Sequence, residues 1–165
     1  SKIVGPAGHV YAVNMPTLNE RFKTGVNPII ADSAYGNVSV VETPLATMKF
    51  SEPLDVVYTS ENYHDFHNGP TADIAALNKT VFNNLKSGGI FYVEDHSAAD
   101  GAGLAATSSF HRMGEAVAKT ELTAAGFKLD GESQLLRNPA DNKAASNSEA
   151  GHFASDRFML RMKRP

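Results

Sequence analysis

Leu85-Lys86-Ser87-Gly88-Gly89-Ile90-Phe91-Tyr92-Val93-Glu94-Asp95-His96 is the stretch that decides the fold. Ahead of it, Ile74, Leu77, Val81 and Leu85 recur at helical spacing behind a cap at Thr71, so a helix with one apolar face runs up to Gly88-Gly89 and stops there. Ile90 to Val93 is then a short unbroken apolar run, the pattern of a strand buried on both faces. It ends on three polar residues. A helix that leads straight into a doubly buried strand is half of a βαβ crossover, and such crossovers build parallel sheets.

The pattern repeats outward. Asp55 to Thr59 (DVVYT) reads as the strand before that helix, and His9 to Val13 and Asn37 to Val41 read as two more. Between those two lies a helix opened by the capping pair Thr17 and Glu20, with Leu18 and Phe22 on its apolar face, which Gly25 and Pro28 break or end. Downstream, Val117, Leu122 and Ala125 mark a helix closed by Gly126, and Phe127 to Leu136 and Arg157 to Met162 read as the last strands. Phe158, Leu160 and Met162 alternate there with Met159, Arg161 and Lys163. Arg137 to Ser155 is polar without an apolar period and reads as a mobile surface loop.

This order implies one α/β domain over residues 1–165: a Rossmann-like, doubly wound, mostly parallel sheet with an antiparallel C-terminal hairpin. Val10–Val13, Val38–Val41, Val56–Tyr58 and Ile90–Val93 are expected as parallel members of one sheet, with Phe158–Met162 antiparallel at its edge. In such sheets ligands bind beyond the carboxyl ends of the strands, so the polar residues there are the ones to weigh.

Composition narrows the partners. The 165 residues are 42% hydrophobic, carry a formal charge of −3 and contain no cysteine. A core of one domain is available, nucleic acid is a poor partner for a chain without a basic field, and thiolate metal sites, disulfides and a cysteine nucleophile are excluded. No apolar run reaches the roughly 18 residues of a membrane span, and Ser1 to Gly5 is not a signal peptide. A small-molecule substrate fits best; cytoplasmic and exported locations both stay open.

Four motifs in order carry a resemblance. Leu85 to Gly89 with its strand resembles the "LKPGG, then strand" signature before the fifth strand of class I S-adenosylmethionine-dependent methyltransferases. Asp55 to Tyr58 resembles that family's fourth strand, Ala124-Ala125-Gly126-Phe127 the "AGF" before its sixth, and Arg157 to Met162 matches its seventh in position. More narrowly, ENYHDFHN, VEDHSA and LLRNPAD resemble a bacterial group of predicted methyltransferases, many of which carry an export signal. The family's first strand, which lies mid-sheet, and the glycine-rich turn after it have no counterpart in these residues. The resemblance therefore implies an N-terminally truncated domain, inactive in this form, whose sheet a separate N-terminal segment or a second copy completes.

The resemblance also implies a cofactor, S-adenosylmethionine, held by Asn14 and Met15 after the first readable strand and by Ser60 and Glu61 after the third. Asn14 stands where the family has an acidic ribose ligand, and an amide can still hydrogen-bond a hydroxyl. Ser60 to His67 mixes carboxylates, an amide, a phenol and two imidazoles at a privileged position. His64 or Asp65 is the expected base, with Asn62, Asp95 and His96 lining the same cleft. Bland readings stand beside these: Asn62, Asp65 and Asp95 as turn or capping residues, and His111-Arg112 as a capping and ion-pair arrangement with Glu115. Two rival functions remain, a non-enzymatic binding module on the same fold and a metal-site enzyme using His64, His67 and His96.

Overall fold

The computed structural model describes residues 2–16, 19–70, 72–149 and 154–165, without the side chains of residues 19–22. The cap read at Thr71, His152, and the Thr17–Glu20 and Leu18–Phe22 patterns lie outside the described residues or side chains. The chain divides into two compact units, Ser1–Met48 and Lys49–Pro165.

In the first unit, β1 (Val10–Asn14) and β2 (Val38–Glu42) pair in parallel, with Val10 opposite Val38 and Asn14 opposite Glu42. Parallel pairing needs a crossover, and α1 (Asn19–Ala31) supplies it. α1 runs through Gly25 and Pro28, which corrects the expectation that they end it. Proline forfeits one intrahelical bond, and the helix tolerates that loss for one more turn.

The second unit holds β3 (Leu54–Ser60), α2 (Ile74–Asn84), β4 (Leu85–His96), α3 (Glu115–Ala124), β5 (Lys128–Ser133) and β6 (Arg157–Lys163), in the sheet order β3-β4-β6-β5. β3 and β4 are parallel; β6 is antiparallel to both of its neighbours, β4 and β5. Three expectations need correction. The readable strands form two hydrogen-bonded sheets among the described residues, not one continuous sheet. β6 is interior, and β5 is the edge. The helix read up to Gly88 ends at Asn84, because Leu85 has turned extended (φ −82°, ψ 152°) and pairs with Leu54, its fully buried side chain serving the strand instead.

The core of this unit follows the alternation read in β6. Phe158, Leu160 and Met162 are fully buried beside Phe91, Val93 and Phe127, each burial contributing about 1.5–3 kcal/mol. α3 is closed by Gly126 at φ +110°, a conformation that L side chains rarely adopt. A Cβ there would also stand 3.0 Å from the Phe82 ring. Residues 141 and 145 of the loop after β5 are tied to the core, where a mobile surface loop is expected. Arg112, fully buried, donates to Asp141 at 2.8 and 3.3 Å, to the Ser97 carbonyl at 3.0 Å and to the Ala145 carbonyl at 2.9 Å. A polar sequence without a period gives no hint that one buried guanidinium gathers it. No helix among the described residues is long and apolar enough to cross a membrane.

Candidate functional site

β3 ends at Ser60, and Glu61 takes a left-handed φ of 57° with its N–H on the Glu94 carbonyl at 2.9 Å. The chain therefore turns at once into the 3-10 turn His64–His67. Two sets of contacts fix that turn. The buried Tyr63 hydroxyl accepts from Asn78 of α2 at 2.8 Å and donates to Glu121 of α3 at 3.2 Å, and His67 Nε2 lies 3.0 Å from the same carboxylate. His64 is bound to the end of β4. Asp95 accepts from the His64 backbone N–H at 2.6 Å, from the His96 N–H at 2.8 Å, and lies 2.7 Å from His64 Nδ1. His64 and Asp95 are both buried.

A third strand of chain closes on this pair. Met113 donates to the His96 carbonyl at 3.0 Å and accepts from Ala98 at 2.8 Å, a short parallel bridge that brings residues 111–113 alongside the end of β4. His111, at φ +52°, then puts Nδ1 3.3 Å from His64 Nε2 and 3.3 Å from Asp65 Oδ1. His64 Nε2 is itself 3.3 Å from Asp65 Oδ1. Side chains of Asp65 and His111 are each 47% exposed, so the cluster is buried at His64 and open at the other two. Left-handed non-glycine residues such as Glu61 and His111 cost about 1–3 kcal/mol each and gather at functional sites.

The electrostatics follow from these contacts. Burial works against a charged His64, yet its hydrogen bonds to Asp65 and Asp95 prevail and push its pKa up to about 9. The His64 hydrogen bond holds Asp65 below the usual carboxylate range. Burial likewise opposes a charged His67, and the bond to Glu121 outweighs it. Burial pushes the Tyr63 hydroxyl far above its ordinary value.

The structure brings His64, Asp65, Asp95 and His96 to one place; the His64 and His96 rings are 6.3 Å apart, and His96 Nδ1 lies 2.5 Å from Ser155 Oγ. Asn62 accepts from the Thr59 hydroxyl instead. Ser60 donates to Glu94, and Arg157 joins Glu61 to Glu94, so both residues read as cofactor contacts are held in a network of their own. His64, His67 and His96 do not converge on one point: His67 serves Glu121 and His96 serves Ser155. Arg112 pairs with Asp141, and Arg137 takes the Glu115 carboxylate that had been read as the Arg112 partner. Sequence reasoning missed His111 as a member of the cluster, and no spacing could have shown it, since the Met113 bridge that delivers it is a long-range backbone contact.

In the first unit Asn14 closes β1, buried, and its Nδ2 has no hydrogen-bond partner among the described residues. Met15 follows it, half-buried. A buried amide donor left over at a strand's carboxyl end fits a ligand hydroxyl such as a ribose supplies.

No family model and no curated protein matches the sequence. Solved structures do match its fold. The cyclase SpnF aligns with 99% of this chain and 69% of its own at TM-score 0.67 and 12% identity. An S-adenosylmethionine-dependent methyltransferase from Aquifex aeolicus aligns with 99% and 73% at 0.65 and 14%. The N-methyltransferase NodS from Bradyrhizobium japonicum aligns with 95% and 74% at 0.64 and 14%. The chain thus has the Rossmann-like fold of the class I methyltransferases, mixed α/β with a mostly parallel arrangement. A cyclase among the matches means that this fold alone does not name a reaction.

Proposed function

We propose that the protein transfers a methyl group from S-adenosylmethionine to a small-molecule acceptor. The observation that carries this reading is the His64–Asp95 pair, built at the carboxyl ends of adjacent parallel strands in a fold shared with methyltransferases. That residues 1–165 form parts of one such domain belongs to the same proposal; single alignments spanning 99% of the chain support it.

Asn14 and Met15 on the first unit, and Ser60 and Glu61 on the second, are each proposed as cofactor contacts. Bound S-adenosylmethionine supplies a methyl group on a positively charged sulfur, an electrophile that needs an aligned acceptor. The chain has to orient that acceptor and receive its proton. Asp95 fixes the His64 ring through Nδ1, so Nε2 is the atom that takes the proton when the acceptor's new bond to carbon forms and the sulfur–carbon bond breaks. This needs the neutral ring, which the raised pKa of about 9 makes the main form only in alkali, so turnover should rise with pH toward that value. Asp65 and Asn62, both exposed, are proposed to hold the acceptor, and His96, its ring 6.3 Å from that of His64, to line the same cleft.

Isothermal titration of the natural-length protein with S-adenosylmethionine tests the reading. Saturable binding that weakens in Asn14→Ala supports it. Absence of binding by folded protein removes methyl transfer and leaves a binding module on a methyltransferase fold.

A further inference from the structure

We infer that His64, Asp65 and His111 form a binding site for a divalent transition-metal ion. The argument begins with shape. Ligand bonds of ~2.1 Å at tetrahedral to octahedral angles place neighbouring ligand atoms ~2.9–3.4 Å apart. His64 Nε2, His111 Nδ1 and Asp65 Oδ1 stand 3.3 Å from one another on all three sides. As a hydrogen-bonded triangle the same arrangement is incomplete, because the single proton that His64 Nε2 can carry cannot point at both Asp65 Oδ1 and His111 Nδ1. One shared cation satisfies all three at once.

The surroundings suit that use. With the His64 Nδ1–H on Asp95, its Nε2 in the neutral ring carries the lone pair, the carboxylate–histidine arrangement that orients metal ligands. His64 is buried and fixed, while Asp65 and His111 are half exposed and give an ion a way in from solvent. Two imidazoles and one carboxylate on one side of an ion leave its other positions open for water or substrate oxygen and favour zinc, cobalt or ferrous iron over magnesium. His64 and Asp65 come from ENYHDFHN and Asp95 from VEDHSA, while His111 comes from a third segment, so the set is assembled by the fold and not by a local motif. This inference goes beyond methyl transfer: with an ion in place His64 is a ligand, and lowering the acceptor's proton affinity falls to the ion.

The test uses chelator-stripped natural-length protein and Co2+, with no S-adenosylmethionine present, so that its outcome is separate from the cofactor titration. Wild type should take up one Co2+ with visible absorption from imidazole ligation, and Zn2+ should displace it. His111→Gly, which keeps the left-handed backbone without strain, and Asp65→Asn should each lose the absorption while their far-ultraviolet circular dichroism stays unchanged. Asp95→Asn should weaken uptake by about 10–100-fold without abolishing it. Equal uptake by wild type and both exposed-ligand variants, or no uptake by folded wild type, would overturn the assignment.

Discussion

His111 and Arg112 are neighbours in the chain and belong to opposite kinds of polar network. Arg112 is wholly enclosed, and its guanidinium spends its donors on Asp141 and on the Ser97 and Ala145 carbonyls. Around it, Asp156 accepts from the Asn138 N–H at 2.9 Å, and Arg137 spans Glu115 and Asp156. His111 is half exposed and faces two further ligand atoms at distances that suit a guest better than one another. Buried polar residues hold a fold when every atom is matched inside the protein, and they receive something when matched atoms leave a shared point for an outsider.

The largest expected effect lies on the enclosed side. Arg112→Ala strips a buried partner from Asp141 and should cost about 3–5 kcal/mol. That corresponds to a fall of roughly 6–20 °C in thermal midpoint, measurable by calorimetry. A midpoint within a degree or two of wild type would show that the clamp does not hold the loop. Next comes Asp95→Asn. It leaves one of the His64 and His96 donors short of an acceptor and should cost about 1–3 kcal/mol in denaturant unfolding.

A smaller, graded effect comes from acid. Burial tends to raise Glu115, Asp141 and Asp156, but ion pairs and backbone N–H groups prevail and hold all three below their ordinary values. A carboxylate whose folded value is depressed contributes stability in full above its unfolded value of 4.5 or 3.8, and loses it as pH falls through the folded value. Proteolysis of residues 134–149 should therefore speed up below about pH 4 before β3 to β6 unfold. Simultaneous loss of the loop and the sheet would merge the two networks into one. The smallest effect should be that of His111→Gly on stability, within about 0.5–1 kcal/mol, because its side chain is half exposed and its backbone conformation is one that glycine takes freely.

The same contrast explains what could be read in advance. Strand and helix order was legible because it rests on local periodicity: Phe158, Leu160 and Met162 announce a one-sided strand, and Gly126 announces a helix end that the φ of +110° then demands. The pairing of His64 with Asp95 was legible in part, since His64 follows β3 and Asp95 stands near the end of the adjacent β4. Its third member was not, because His111 arrives by the Met113–Ser97 bridge. Nor was the enclosed network, in which Arg112 reaches over α3 and β5 to Asp141, 29 positions away in a loop without an apolar period. The error at Leu85 has the same origin, since helical spacing counts a residue whose ladder partner, Leu54, lies 31 positions away.

Thermal unfolding of chelator-stripped wild type and His111→Gly, each with and without Zn2+, tests most directly whether one network is receptive while its neighbour is sealed. At an ion concentration about 100 times the dissociation constant, wild type should gain ~2.7 kcal/mol, a rise of roughly 5–11 °C. His111→Gly should start close to the same midpoint and stay there. If both proteins rise together, or if His111→Gly already melts as low as Arg112→Ala, the distinction between the two networks is wrong.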